Sequence, residues 1–149
     1  NLELATVTML KGAGDAEDCG NLIKNVWYNA IYKEKDDETD KYTRPDGYFV
    51  SDFNDALGNL FVDSSFSSKI DSIDKNQDTV NSLMKKLKNP PEEYKDAYDA
   101  LSDFYDAYLA LTGCATDPSG SLQTYSSTFN DADTDTLNAY KAMQQYLGD

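Results

Sequence analysis

Two short stretches of this sequence set oxygen-bearing side chains at alternate positions, as a calcium-binding loop does. Asp74-Lys75-Asn76-Gln77-Asp78 and Asp131-Ala132-Asp133-Thr134-Asp135 both follow that alternation. Such a loop also needs Gly at its sixth position for the turn and a bidentate acid at its twelfth. Here the sixth position is Thr79 or Thr136 and the twelfth is Lys85 or Ala142. The coordination sphere would be incomplete, so the plain reading of both stretches is solvated helix face, and no metal ligands are assigned. The chain contains no histidine. That removes Ser-His-Asp and Cys-His nucleophiles, His-ligated zinc and the usual general base near neutral pH. No acid, base and oxyanion donor can be assembled from what remains, so the reading is not an enzyme, with no catalytic residues and no cofactor.

Three other groups of residues could carry a function. The polar stretch Lys35–Val50 holds Asp36, Asp37, Glu38 and Asp40, the turn Arg44-Pro45-Asp46-Gly47, and the chain's one arginine. Asp37, Asp40, Tyr42, Arg44 and Tyr48 are its candidate contact residues. The bland alternative is a solvated connection whose Tyr48, Phe49 and Val50 cap the end of a bundle. Tyr98 and Tyr105 lie off the main apolar stripe of their helix and are expected to be exposed; with the other tyrosines nearby they could form a sugar- or peptide-binding face. Aromatics at helical spacing are otherwise core. Cys19 and Cys114 could be joined as a disulfide only if the helices stand about 55 Å tall; at about 45 Å they would be ~12 Å apart. Two free, partly buried thiols are the alternative.

These residues ride on four segments whose apolar positions recur at alternating spacings of three and four, the mark of one buried helical face. The first runs Leu2, Thr6, Met9, Ala13, Ala16, Gly20, Ile23, Trp27, Ala30, flanked by Val26 and Ile31. Its small middle, with Gly12, Gly14 and Gly20, predicts either close approach of a neighbour whose aromatic rings fill the groove or a break near Gly12–Gly14. The second runs Phe53, Leu57, Leu60, Phe66, Ile70, Ile73, Val80, Met84, Leu87, with Ser51 as N-cap and a kink at Asp63–Ser65 or around Asn76. Asn89-Pro90-Pro91-Glu92-Glu93 starts the third, with Asn89 as cap. That helix carries Tyr94, Ala97, Leu101, Phe104, Tyr108 and Leu111, an opposite stripe of Asp96, Asp99, Asp103 and Asp106, and Gly113 as its C-cap. Asp117-Pro118-Ser119-Gly120 leads into the fourth: Leu122, Tyr125, Phe129, Ala132, Tyr140, Met143, Leu147. The last two connections are short, which makes consecutive helices antiparallel. The expectation is one all-α domain over residues 1–149, an up-down-up-down four-helix bundle with one long loop between helices 1 and 2.

Thirteen Lys and Arg face 27 Asp and Glu, a formal net charge of −14. Such a surface repels nucleic acid and anionic membranes and favours a protein partner with a basic surface. No apolar run is long enough to span a bilayer. The start at Asn1 fits a mature product whose export segment, or lipid anchor, lay upstream.

The segment from Asn89 to Leu122 reads Pro-Pro-Glu-Glu-Tyr-Lys-Asp-Ala-Tyr, then Ala-Tyr-Leu-Ala-Leu, then Asp-Pro-Ser-Gly-Ser-Leu. It resembles uncharacterised exported or lipid-anchored helical-bundle proteins of Gram-positive, gut-dwelling bacteria. The resemblance implies an extracytoplasmic home and brings no activity or site residues. The expected function is a non-enzymatic cell-envelope protein that contacts another macromolecule. The alternative is a module that binds carbohydrate or peptide on its Tyr-rich helix faces, and a carboxylate-based enzyme comes third.

Overall fold

A computed structural model describes residues 1–147; the last two positions of the expected 1–149 domain lie outside the described residues. Among the described residues there are six α-helices and no strand: α1 (Leu2–Tyr32), α2 (Asp40–Thr43), α3 (Phe53–Val62), α4 (Ser64–Leu87), α5 (Lys95–Thr116) and α6 (Leu122–Gln144). A 3₁₀ turn at Glu92–Tyr94 leads into α5.

α1 is the element on which the others converge: α3, α4, α5 and α6 all pack against it. Its buried positions form a broad stripe that includes Met9, Ile23, Val26 and Trp27. A helix flanked on several sides needs such a stripe. The glycines do not break it, because α1 is continuous from Leu2 to Tyr32. A methyl group at Gly12 would run into the Asn76 amide and the Tyr108 ring, and one at Gly20 into the Phe129 ring. Small residues thus admit α4, α5 and α6 at close range, and aromatic rings fill the grooves as the composition of the segment implies. Gly14 faces open space.

The second apolar segment divides at Asp63, which ends α3 and caps α4 with an extended backbone. Its side chain accepts from the Phe66 N–H at 3.1 Å. Of the two expected kink positions, the chain uses this one. Asn76 stays inside α4 and serves as a bridge: its amide donates to Thr8 O at 3.0 Å and its Oδ1 accepts from the Tyr108 hydroxyl.

Several expected caps lie elsewhere. Asp52, not Ser51, caps α3, accepting from Asn54 N–H at 2.9 Å. Asn89 is not an N-cap: it adopts a left-handed φ of 57° two residues past the end of α4, and α5 is entered through Pro91 and the 3₁₀ turn without a side-chain cap. A left-handed residue closes a helix rather than opening one, and Asn tolerates that conformation better than most residues. Gly113 lies inside α5, which runs on to Thr116. α6 starts with a capping box, in which Thr124 N–H donates to Ser121 Oγ and Ser121 N–H to Thr124 Oγ1.

Candidate functional site

The connection between α1 and α3 is built, not slack. Lys33 closes α1 in a left-handed conformation, its N–H bonded to Asn29 O. The Asn29 side chain donates to Thr39 Oγ1 at 3.0 Å in a buried contact. Thr39, Tyr42 and Thr43 are buried, and Asn59 of α3 donates to Tyr42 O at 3.0 Å. The aromatic and threonine content of a stretch that looks polar overall thus seats α2 on the core.

This order divides the five loop candidates. Tyr42, 4% exposed, is a core residue and not a contact residue. Arg44 is consumed locally: Nη2 donates to Gly47 O at 2.7 Å, Nη1 sits 3.9 Å from Asp40 Oδ2, and the guanidinium lies 5.2 Å from the centre of the Phe49 ring. Asp40 also accepts from Asp36 N–H at 3.0 Å. Only Asp37 and Tyr48, the latter 81% exposed, face solvent freely.

Beside the loop, the last turns of α1 present a feature that the periodicity concealed. Tyr28 and Tyr32 lie with ring centres 4.5 Å apart, tilted by 38°, and are 49% and 58% exposed, with Ile31 beside them at 41%. The apolar periodicity of the segment puts Ile31 on the flank of the buried face. The spacing Tyr28, Ile31, Tyr32 was itself the signal, since i, i+3 and i+4 positions form a second stripe that adjoins the buried face of Trp27 and Ala30. Glu34, Asp36, Asp37 and Glu38 follow, all exposed.

Tyr98 and Tyr105, expected to be exposed, are half-buried. α4 covers part of that face, and the Tyr105 hydroxyl donates to Asn81 Oδ1. The fully solvated side of α5 is its aspartate stripe, Asp96, Asp99, Asp103 and Asp106. Asp99 holds Lys95 at 3.0 Å, which raises the lysine's pKa. The two alternating aspartate stretches lie within α4 and α6, where successive side chains fan round the axis and cannot close on one ion. Among the described residues no group of three His, Cys, Asp or Glu is placed to hold a metal.

Cys19 and Cys114 are free and buried, on α1 and α5. Burial pushes the Cys19 thiol up to about 11 and raises that of Cys114 as well. Both thiols are therefore protonated and unreactive at neutral pH. The Tyr125 hydroxyl donates to Cys114 O at 2.7 Å, and Trp27 lies against the Tyr125 and Phe53 rings, so this region is core.

No protein family, curated protein or solved structure matches the chain. One polar pair outside the expected sites stands out: Glu17 of α1 and Asp133 of α6 line a small groove of about 170 Å³ that Leu10, Leu111, Leu137 and Tyr140 also line. The hydrogen bond to Asp133, followed by burial and the Asp133 charge, raises Glu17 to about 7. Among the described residues no helix is long and apolar enough to cross a membrane.

Proposed function

We propose that the chain is a non-enzymatic module that binds a protein partner with a basic surface, through the end of α1 and the loop that follows. The observation that carries this reading is the uncovered Tyr28–Ile31–Tyr32 cluster bordered by four consecutive-turn carboxylates, Glu34, Asp36, Asp37 and Glu38. An aromatic centre with a polar, charged rim is the usual anatomy of a protein-binding surface. The rim charge, repeated over a chain of net charge −14, selects a basic partner and speeds its approach. Asp37 and Tyr48 are the two loop candidates free to take part.

The long helices are read as an up-down-up-down bundle, in which α3 and α4 together form the second member. Support comes from the brief links after α4 and α5 and from the way α3 to α6 share α1. An extracytoplasmic location, secreted or lipid-anchored in a Gram-positive bacterium, rests on the resemblance over Asn89 to Leu122 alone. Recovery of the chain in the cytosolic fraction of its own cells would overturn that part.

The contact is tested by photo-crosslinking in extract from the producing cells, with Tyr32→p-benzoylphenylalanine compared against Thr79→p-benzoylphenylalanine on the exposed side of α4. The expected result is an adduct formed only from position 32, diminished by high salt and by an added Tyr28→Ala. Identical adducts from both positions, or an adduct indifferent to salt, would overturn it.

A further inference from the structure

α4 and α5 pack less closely on each other than either packs on α1, and a groove of about 470 Å³ opens between them. It continues past Lys88 and Tyr98 toward the turn at Asn89 and Pro90. Its two walls differ chemically. The side formed by α4 and its C-cap offers side-chain donors, the Lys85 and Lys88 ammonium groups and the Asn81 amide nitrogen, while Asn81 Oδ1 accepts from the Tyr105 hydroxyl. Neither lysine is in an ion pair among the described residues, whereas Lys95 nearby is held by Asp99. The α5 wall offers the Ser102 hydroxyl and the Asp106 carboxylate. Tyr98 and Tyr105, half-buried and seven residues apart, stand about 10.5 Å from one another along the helix. Tyr105 is fixed by its bond to Asn81, so its ring is a preformed surface rather than a mobile one.

We propose that this groove binds a short acidic saccharide, whose rings lie along Tyr98 and Tyr105 and whose carboxylate meets Lys85 and Lys88. A sugar acid is the ligand class that uses every part of the site. Its C–H faces suit aromatic rings, its hydroxyls find both Ser102 and Asp106, and its one carboxylate per ring can meet the two unpaired ammonium groups. A phosphate ligand would be expected to recruit arginine or converging backbone N–H groups, and the groove has neither. A polyanion such as nucleic acid would meet Asp106 and the aspartate stripe of α5 as well as the net charge of the chain. A purely apolar ligand would leave the lysines without a role.

The test is a ¹H–¹⁵N NMR titration of the whole chain with digalacturonate, with neutral digalactose, and with benzoate as an aromatic acid lacking sugar hydroxyls. Digalacturonate at millimolar concentration should shift the amides of α4 and α5 around Asn81, Lys88, Tyr98 and Tyr105. The neutral sugar should bind the same residues more weakly, and benzoate should bind less well than digalacturonate. Tyr98→Ala should weaken digalacturonate by about tenfold, the scale of one ring-stacking contact. Tyr98→Phe, which keeps the ring and the fold, should bind like the parent. Lys85→Gln with Lys88→Gln should remove the preference for the acid over the neutral sugar. Absence of shifts in this region, a preference that survives loss of both lysines, benzoate binding as tightly as the sugar acid, or weak binding by Tyr98→Phe would each overturn the proposal.

Discussion

The glycines of α1 have opposite values according to what faces them. At Gly20 a methyl group would meet the buried Phe129 ring, whose displacement would disturb the contact with α6. Overpacking of this kind costs about 1–3 kcal/mol, against about 1 kcal/mol gained by replacing Gly with Ala in a helix. Gly20→Ala is therefore expected to lower the urea midpoint. Gly14 has nothing within reach, so Gly14→Ala keeps only the helix gain and should raise stability by about 0.5–1 kcal/mol. Equal effects at both positions would show that the close approach at Gly20 is not what holds α6 on α1. The small-residue stripe was legible in the sequence. Which of its glycines was in contact was not, because that depends on side chains more than 60 residues away in Asn76, Tyr108 and Phe129.

At the scale of elements, Asp63 is the hinge point of the longest apolar segment. It ends α3 and caps α4 through the Phe66 N–H. Asp63→Ala should cost about 0.5–2 kcal/mol, and Asp63→Asn, which keeps the accepting oxygen, much less. Equilibrium unfolding of the two variants checks this; equal losses would mean that the charge at the helix N-terminus matters and the hydrogen bond does not. The sequence made this junction visible because Asp-Ser-Ser interrupts an otherwise regular stripe. It misled at Asn89-Pro90-Pro91, where the same residues read equally as a cap or as a terminator. Only the left-handed backbone at Asn89 decides between them. The loop before α3 was misjudged for a related reason: its acidic residues advertise solvent, while Tyr42, Thr39 and Thr43 fold one turn of helix onto the core.

Across the whole molecule, charge and packing oppose each other as pH changes. The neighbouring Asp133 side chain, followed by burial, raises the folded Glu17 pKa to about 7 from 4.5. The folded state therefore binds more protons than the unfolded state between those values. Stability from this pair is present in full below about pH 4.5 and is lost as pH rises through about 7. The charged groups that face Glu17 are Asp133 across the groove and Asp18 on its own helix, both of the same sign, while α5 contributes only Leu111 there. Repulsion within a chain of net charge −14 acts in the same direction. The melting temperature should accordingly fall between pH 5 and pH 7.5, and Glu17→Gln, whose amide can donate to Asp133 at any pH, should flatten that fall. An unchanged pH profile in the variant would assign the whole effect to general repulsion. Composition made the general term legible. The pair was hidden, because Glu17 and Asp133 are 116 positions apart and neither breaks a pattern.

The position of α1 also bears on how the chain comes to be folded as it is made. α1 precedes the other helices during synthesis, yet two of its main partners, α5 and α6, are the last to be translated. At translation speeds of about 5–20 residues per second, α1 waits on the order of ten seconds before α5 exists to cover it. During that interval Met9, Ile23, Val26 and Trp27 have no α5 or α6 to bury them. The nascent chain must therefore either hold α1 against α3 and α4 alone or keep it from its neighbours on other ribosomes. Stalling synthesis just after Leu87 should leave Trp27 accessible to acrylamide quenching, because the Tyr125 ring that covers it has not yet been made.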